Sequence, residues 1–539
     1  MESETNKRPN QAKSVAAPTP ALAGATAGDG VHYAGTSSLE YLSMSKGEKA
    51  WYRFSHFFRD LPRHILNFLK AIPLWLWGLL KGIGHFFASL YEMFRFGDWK
   101  TRLSFVFFGF GNLAHKQIGR GLLLFLYEIG FILYMVLFGG KYIAKFGTLG
   151  TVVTQTTETG RKIVGDNSFQ ILLYSVATFV IIIFTAILWY KSVRMAYENQ
   201  ENASLAKRLP SFAGDVKASM NANFHTTLLS VPLTTLILFT VIPLFFMIFV
   251  AFTNYDGNHM PPNNLFTWVG NENFSSLLNG SGLAGNTANW SYTFWNVLWW
   301  TLLWAVLATF SNFFLGMLIA MIINKKGLKL KKLWRTLLVV VIAVPQFISL
   351  MLMSKMLTTD GAFNVLLEEM GIISADHPIE WLLNPWMARL SVVLVNLWIG
   401  IPYTVLSCTG ILMNIPEDLY EAARIDGASP YQMYRKITLP YMMFVMGPSL
   451  ITTFVGNLNN FNVIYLLTGG TTGYPDSKMA SCYAGQTDLL ITWLYKLTVN
   501  NQYYGIASVI GILVFIITAF FSLIVYGNIG SVKNEEEFQ

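Results

Sequence analysis

Apolar residues in this chain gather into long blocks separated by polar intervals, and do not follow the narrow stripe of a water-soluble helix. A helix needs about 20 mostly apolar residues to cross a bilayer. Eight blocks meet that length: roughly 121–140, 169–190, 228–252, 292–323, 333–357, 388–412, 441–468 and 505–527. The fourth exceeds it and is expected to tilt or to begin as a surface helix. The pattern predicts an all-α integral membrane protein with about eight transmembrane helices.

Two N-terminal regions depart from that pattern. Residues 1–50 are rich in Ala, Ser, Thr, Gly and Pro, with no apolar core, and read as a disordered tail rather than a signal peptide. Residues 51–100 are aromatic and apolar, but Arg53, Arg59, Arg63, Lys70, Lys81 and Arg95 interrupt them, and Pro62 and Pro73 divide them. An extra span over 71–94 would hold Lys81 and His85 near its centre, which is costly. Amphipathic helices lying on the membrane surface are the expected form.

Composition agrees with the block pattern. The chain is 53% hydrophobic and 13% charged, where a soluble domain carries about 25% charged residues. A net charge of +8 raises the question of nucleic acid. The basic residues are spread between apolar blocks and form no single patch, so they read as an orientation signal. Lys191, Arg194, Lys207, Arg208 and Lys217 follow span two. Lys325, Lys326, Lys329, Lys331, Lys332 and Arg335 follow span four, and Arg424, Arg435 and Lys436 follow span six. Thr253–Ser291 and Thr358–Ala388 hold no Lys or Arg. The alternation predicts cytoplasmic termini, with the loop after span one (Lys141, Lys145, Arg161, Lys162) as the exception. Cys408 and Cys482 lie far apart in sequence, with no metal-ligand spacing, and no disulfide is expected.

The most polar interval of the C-terminal half is EAARIDGASPYQMYRKITLP, Glu421–Pro440, which this orientation places in the cytoplasm. Pro416 suits a first helical turn, and Glu417 and Asp418 suit its positive end. Gly427 suits the left-handed residue that ends a helix. Ser429, Pro430 and Gln432 spell a second start with a capping box, with Lys436 in its last turn and Pro440 closing it. The expectation is two short helices joined at a Gly bend. Neither is long enough to persist alone in water, so packing must hold them.

No G-x-x-x-x-G-K-[ST] loop is present to cradle phosphates, so the energy for any ATP-driven process must come from another chain. Polar side chains cluster in two apolar blocks: Asn396–Tyr403 in span six and Thr452–Phe461 in span seven. Asn both donates and accepts, which suits sugar hydroxyls. It equally suits hydrogen bonds between helices. The residues alone leave both readings open.

Glu421-Ala422-Ala423, Asp426-Gly427-Ala428, Ile437 and Leu439-Pro440 resemble the EAA signature of ABC importer permeases. In that family the first helix docks into a groove on a separate ATPase subunit. The resemblance implies that Glu421, Ala422, Ala423, Asp426 and Gly427 form the coupling element, within 414–440. Tyr434 stands where the family commonly has Phe. The polar clusters are similar to the sugar-lining segments of maltose/maltodextrin permeases of the MalF type, over roughly Asp98 to Asn528 and most strongly from Leu333 on. Val344–Ser349 and Gln486–Leu490 add to the likeness. It implies sugar contacts at Asn396, Trp398, Ile399, Gly400, Thr453, Asn457 and Asn460. In span five the matching positions are Ile342 and Gln346, where the family has an aromatic and a small hydroxyl residue. Gln346 is expected to narrow the pocket or to bond a different hydroxyl.

The resemblance further implies the type I importer permease fold in a bacterial plasma membrane, and no cofactor in this chain. Its expected partners are two ATPase subunits that bind ATP, a second permease subunit, membrane lipid and an extracellular sugar-binding protein delivering maltose or maltodextrin; nucleic acid is not among them. The outer loop Thr253–Ser291 is short and Gly/Asn-rich, where the best-known maltose permease has a large folded domain. That departure implies a membrane-tethered binding lipoprotein. The expected organisation is a tail at 1–50, interfacial helices at 51–100, spans one to three at 101–290, a core permease domain at 291–528 and a tail at 529–539. A permease for another glycoside or oligosaccharide would share the cytoplasmic motif. An ion-coupled carrier would need an embedded carboxylate, for which Glu128 in span one is the main candidate, and internal repeats, which are not evident. A membrane scaffold that binds an ATPase would leave the polar clusters unexplained.

Overall fold

A computed structural model of the chain describes residues 73, 77–78, 80–156, 162–207, 211–280, 287–325 and 327–528. The expected tails and most of 51–79 lie outside these residues. Helix α1 (80–95) leaves Phe87, Tyr91 and Phe94 exposed beside Lys81 and Arg95, the composition of a helix at a membrane surface. The following segment, 99–115, packs on the first two spans. There the Phe108 backbone N–H donates to Glu128 Oε2 (2.9 Å) and the Gly109 N–H donates to Ser192 Oγ (2.8 Å). Glu128 thus serves as a buried acceptor for backbone.

Seven described helices are long and apolar enough to cross a membrane. They include α2 (Ile118–Phe146), α3 (Ser168–Ser204), α4 (Phe224–Val250) and α5 (Thr287–Asn324). Asn167 starts α3 by accepting the Gln170 N–H. A two-residue ribbon, β1 (Gln155–Thr156) with β2 (Lys162–Ile163), lies between α2 and α3. Lys145 in the last turn of α2 pairs with Asp166 just before α3, so one of the cations that disturbed the charge alternation is neutralised locally.

Span five is not one helix, as its apolar run suggests. It is α6 (Lys331–Ala343) and α7 (Gln346–Met356), bent by 91°. Proline explains the break: it disfavours helical geometry in the residue before it, and Val344 is extended at φ −84, ψ 125. Span six is α8 (Pro385–Leu412), opened by Asn384 with Pro385 at its first position.

One compact unit contains Pro416–Phe444, and the other spans lie in a second unit. In the first, α9 (Glu417–Ile425) is followed by the start of α10 (Pro430–Leu458). Here the expectation of a second short helix closed by Pro440 is corrected. The helix runs through Pro440, because a π turn at Tyr434–Thr438 immediately precedes it. Proline removes an N–H and clashes with the carbonyl four residues back, and a π turn re-spaces the carbonyls. A π turn at Ile237–Val241 precedes Pro243 in α4 in the same way. Span seven is corrected too. Helix α10 ends at Leu458, and α11 (Phe461–Thr468) is a separate helix capped by Asn460. Helices α12 (Leu490–Tyr495) and α13 (Tyr504–Asn528) are the last among the described residues.

In the second unit α5 is the central column. Trp300, Trp304 and Ala308 of α5 share a buried cluster with Leu350 of α7, Ile399 of α8 and Ile464 of α11. The loop between α4 and α5 is more ordered than its Gly/Asn content predicts. Thr253 pairs with Trp268, Glu272–Asn279 is helical, Phe266 is fully buried, and the Tyr255 ring stacks on Tyr504 at 4.4 Å.

Candidate functional site

The Glu421–Pro440 motif begins as a capped helix with a closed end. Pro416 occupies the N-cap, one position before its expected place, with Glu417 and Asp418 in the first turn. Gly427 takes φ +74. Its N–H donates to Arg424 O (3.1 Å) and the Ala428 N–H donates to Ala423 O (2.9 Å), the paired bonds of a Schellman end. Two carbonyls that the helix end would strand are thereby satisfied. The next start carries the expected capping box: the Ser429 N–H donates to Gln432 Oε1 (2.7 Å), and the Gln432 N–H donates to Ser429 Oγ (3.3 Å). Tyr420 and Thr438 hydroxyls meet at 2.9 Å and tie α9 to the π turn. Glu421, Ala422, Asp426 and Gly427 are exposed and Ala423 is half-buried. Leu419, Ile425 and Tyr431 add exposed apolar surface.

In the membrane-spanning unit, α7 and α11 each begin at a helix break. One full crossing, α8, separates spans five and seven, so the two run in the same sense. Ser354 Oγ donates to Leu467 O (2.8 Å), joining α7 to α11. Both breaks therefore lie at the same end of a packed helix pair. Non-helical backbone within apolar segments persists only where protein or a wet cavity satisfies it, and broken helices are a common way to build a transport site.

The candidate residues divide into two groups around these breaks. Gln346 opens α7 and is exposed, as are Trp398 and Thr453; Thr453 Oγ1 donates to Ser449 O (2.9 Å). Ile342 is half-buried near the end of α6. Asn396 is buried, yet its amide makes no hydrogen bond among the described residues. The other candidates are engaged in packing. Ile399 sits in the core cluster around Trp304. Gly400 lies against Asn312 of α5, where an added Cβ would come within 2.5 Å of Asn312 Oδ1. Asn457 Nδ2 donates to Thr309 Oγ1 (3.0 Å), so this amide does serve as a tie between helices. Asn460 caps α11 through the Val463 N–H and donates to Asn457 Oδ1 (3.4 Å).

Sequence reasoning missed the contribution of α5. Thr309 and Asn312 are three residues apart, on one helical face, and meet Asn457 and Gly400 respectively. Asn312 is only 7% exposed, and its Oδ1 has no hydrogen-bond partner among the described residues. The signal was available: polar residues at helical spacing inside an apolar span, the criterion that singled out spans six and seven.

A buried ion pair holds the loop between α11 and α12. Lys496 Nζ donates to Asp488 Oδ2 (2.7 Å), which also accepts from the Gly485 N–H (2.7 Å), while Thr492 Oγ1 donates to Asp488 Oδ1 (2.8 Å). Asp488 is 0% exposed. Burial raises its pKa to about 6 despite the opposing pull of Lys496 and of the Gly485 and Thr492 hydrogen bonds. Among the described residues, no three His, Cys, Asp or Glu side chains are placed to hold a metal ion.

Residues 312–531 match the family described as "binding-protein-dependent transport system inner membrane component". The chain is 31% identical to the galactooligosaccharides transport system permease protein GanP of Bacillus subtilis (strain 168), over 76% of this chain and 93% of that one. It is 32% identical to the maltodextrin transport system permease protein MdxF of the same organism, over 79% and 95%. Identity to the maltose/maltodextrin permease MalF of Klebsiella aerogenes is 36%, over 41% of this chain and 42% of that one.

Proposed function

The chain belongs to the binding-protein-dependent transport system inner membrane components, the permeases of ABC importers, and from that premise we propose that it carries maltodextrin inward by alternating access. It is a multi-pass plasma-membrane transport subunit, not the ATPase. Its termini face the cytoplasm. A loaded binding lipoprotein docks outside, on the ordered loops after α4 and α11. Two partner ATPase subunits close on ATP, and α9 with its Gly427 bend carries that closure into the spans. A second permease subunit completes the pathway, and this chain binds no cofactor of its own.

The pair of adjacent helix breaks supports this reading most. It gathers Gln346, Asn457 and Asn460 at one end of the α7–α11 pair. Asn396 and Trp398 of α8 add an amide with no hydrogen-bond partner among the described residues and an exposed indole. Amides and an aromatic face suit the hydroxyls and the apolar face of a pyranose. Glu128 is occupied by backbone, which leaves the ion-coupled carrier without its principal carboxylate. The near-equal likeness to a galactooligosaccharide permease favours one second reading, a different oligosaccharide in the same site. Uptake of labelled maltotetraose and galactotetraose into proteoliposomes holding the whole complex separates them. Maltotetraose uptake that needs ATP and binding protein supports the assignment. Uptake of galactotetraose alone transfers it to the second reading, and uptake of neither sugar refutes the oligosaccharide reading.

A further inference from the structure

Helix α10 ends at Leu458 inside a stretch that is apolar on both sides. Its last carbonyls lack intrahelical partners. Asn457 O accepts from Trp304 Nε1 (3.2 Å) and from the Asn460 N–H (3.3 Å). The Asn457 side chain is held at both ends, Nδ2 by Thr309 Oγ1 (3.0 Å) and Oδ1 by Asn460 Nδ2 (3.4 Å). Trp304 is 0% and Thr309 1% exposed, so neither offers surface to a ligand in this conformation.

We infer that Thr309 and Trp304 are positioning residues for oligosaccharide recognition, fixing the amide of Asn457 at the α10–α11 break so that it presents one preset donor and one preset acceptor. The inference rests on the oligosaccharide reading of that site. An Asn amide has two N–H donors and two carbonyl lone pairs. One of each is spent on Thr309 and Asn460. The remaining N–H and lone pair then point in fixed directions, which matches a sugar hydroxyl that both accepts and donates. An amide free to flip would lose that match half of the time and bind less tightly. Trp304 fixes the backbone under the same residue, so α5 sets both the position and the rotation of Asn457.

The test uses the full complex, trapped with ATP and vanadate, and measures retained labelled maltotetraose and galactotetraose against free sugar. Thr309→Val keeps the shape and removes the hydroxyl. It should raise the half-saturating concentration roughly 2-fold, the cost of an amide that holds the matching orientation half of the time, with unstimulated ATPase unchanged. Thr309→Ser should restore it, and Trp304→Phe should shift it in the same direction as Thr309→Val. In an Asn457→Ala background, Thr309→Val should add nothing, since the two act through one amide. If Asn457→Ala weakens retention and neither Thr309→Val nor Trp304→Phe does, the positioning role is overturned and the site reading stands. Should Asn457→Ala leave retention of both sugars unchanged, the site reading fails and the inference fails with it.

Discussion

Gly400 and Asn312 meet where spans four and six approach closely. No side chain larger than hydrogen fits at 400 while the Asn312 amide occupies that notch. Gly400→Ala should therefore cost roughly 1–3 kcal/mol through overpacking, read as a lower melting temperature of the solubilised complex. Adding Asn312→Ala should recover most of it, because the clash is with that side chain; no recovery would place the strain elsewhere. The pair Asp488–Lys496 gives a second residue-scale expectation. Asp488 has its pKa raised by burial to about 6, above the ordinary carboxylate range. A raised carboxyl pKa means a cost that is fully present above the folded value and relieved as pH falls through it. Lys496→Met removes the partner and raises that pKa further. Breaking a buried pair this way costs roughly 3–5 kcal/mol. The variant's melting deficit should be large at pH 8 and should shrink on going to pH 5. A deficit that grows on acidification would contradict the account.

At the scale of elements, the spans were legible because a bilayer crossing demands a long apolar block, and nothing else in the chain supplies one. Seven helices fall on seven of the eight expected blocks. What the blocks did not reveal was continuity. Pro345 ends α6 where the apolar run continues, whereas Pro440 lies within a helix because the π turn before it absorbs the clash. Hydrophobicity is blind to both outcomes, since they depend on how carbonyls are re-spaced. The polar positions on spans six and seven were visible as Asn clusters. Thr309 and Asn312 stood at the same helical spacing inside span four and were readable by the same criterion, whereas Trp304 was not, because a Trp inside an apolar helix also suits lipid or core. The bend itself is testable. Pro345→Ala restores an N–H and frees Val344 to turn helical, which should let α6 and α7 straighten toward one helix. Membrane insertion should be unchanged and ATP-driven sugar uptake should fall; full uptake would show that the 91° bend is incidental to transport.

For the whole molecule, the two units carry different tasks on this account. Residues 416–437 of the first unit are mostly polar and exposed and turn at Gly427, and the other unit holds the helix breaks. The chain has no phosphate-binding loop, and on this account a partner ATPase drives it through α9. The Glu421–Pro440 motif, its caps and its turn were readable from sequence because local rules fix them. The cargo was less readable, since amides that bond a sugar also bond helices, and Asn457 is used for the second purpose here. The most direct test of the account is the ATPase rate of the reconstituted complex, with and without sugar-loaded binding protein, comparing the native chain with Gly427→Pro. Proline cannot adopt φ +74. The account predicts strong stimulation of the native complex and its loss in the variant, with sugar-site side chains untouched; equal stimulation of both would contradict it.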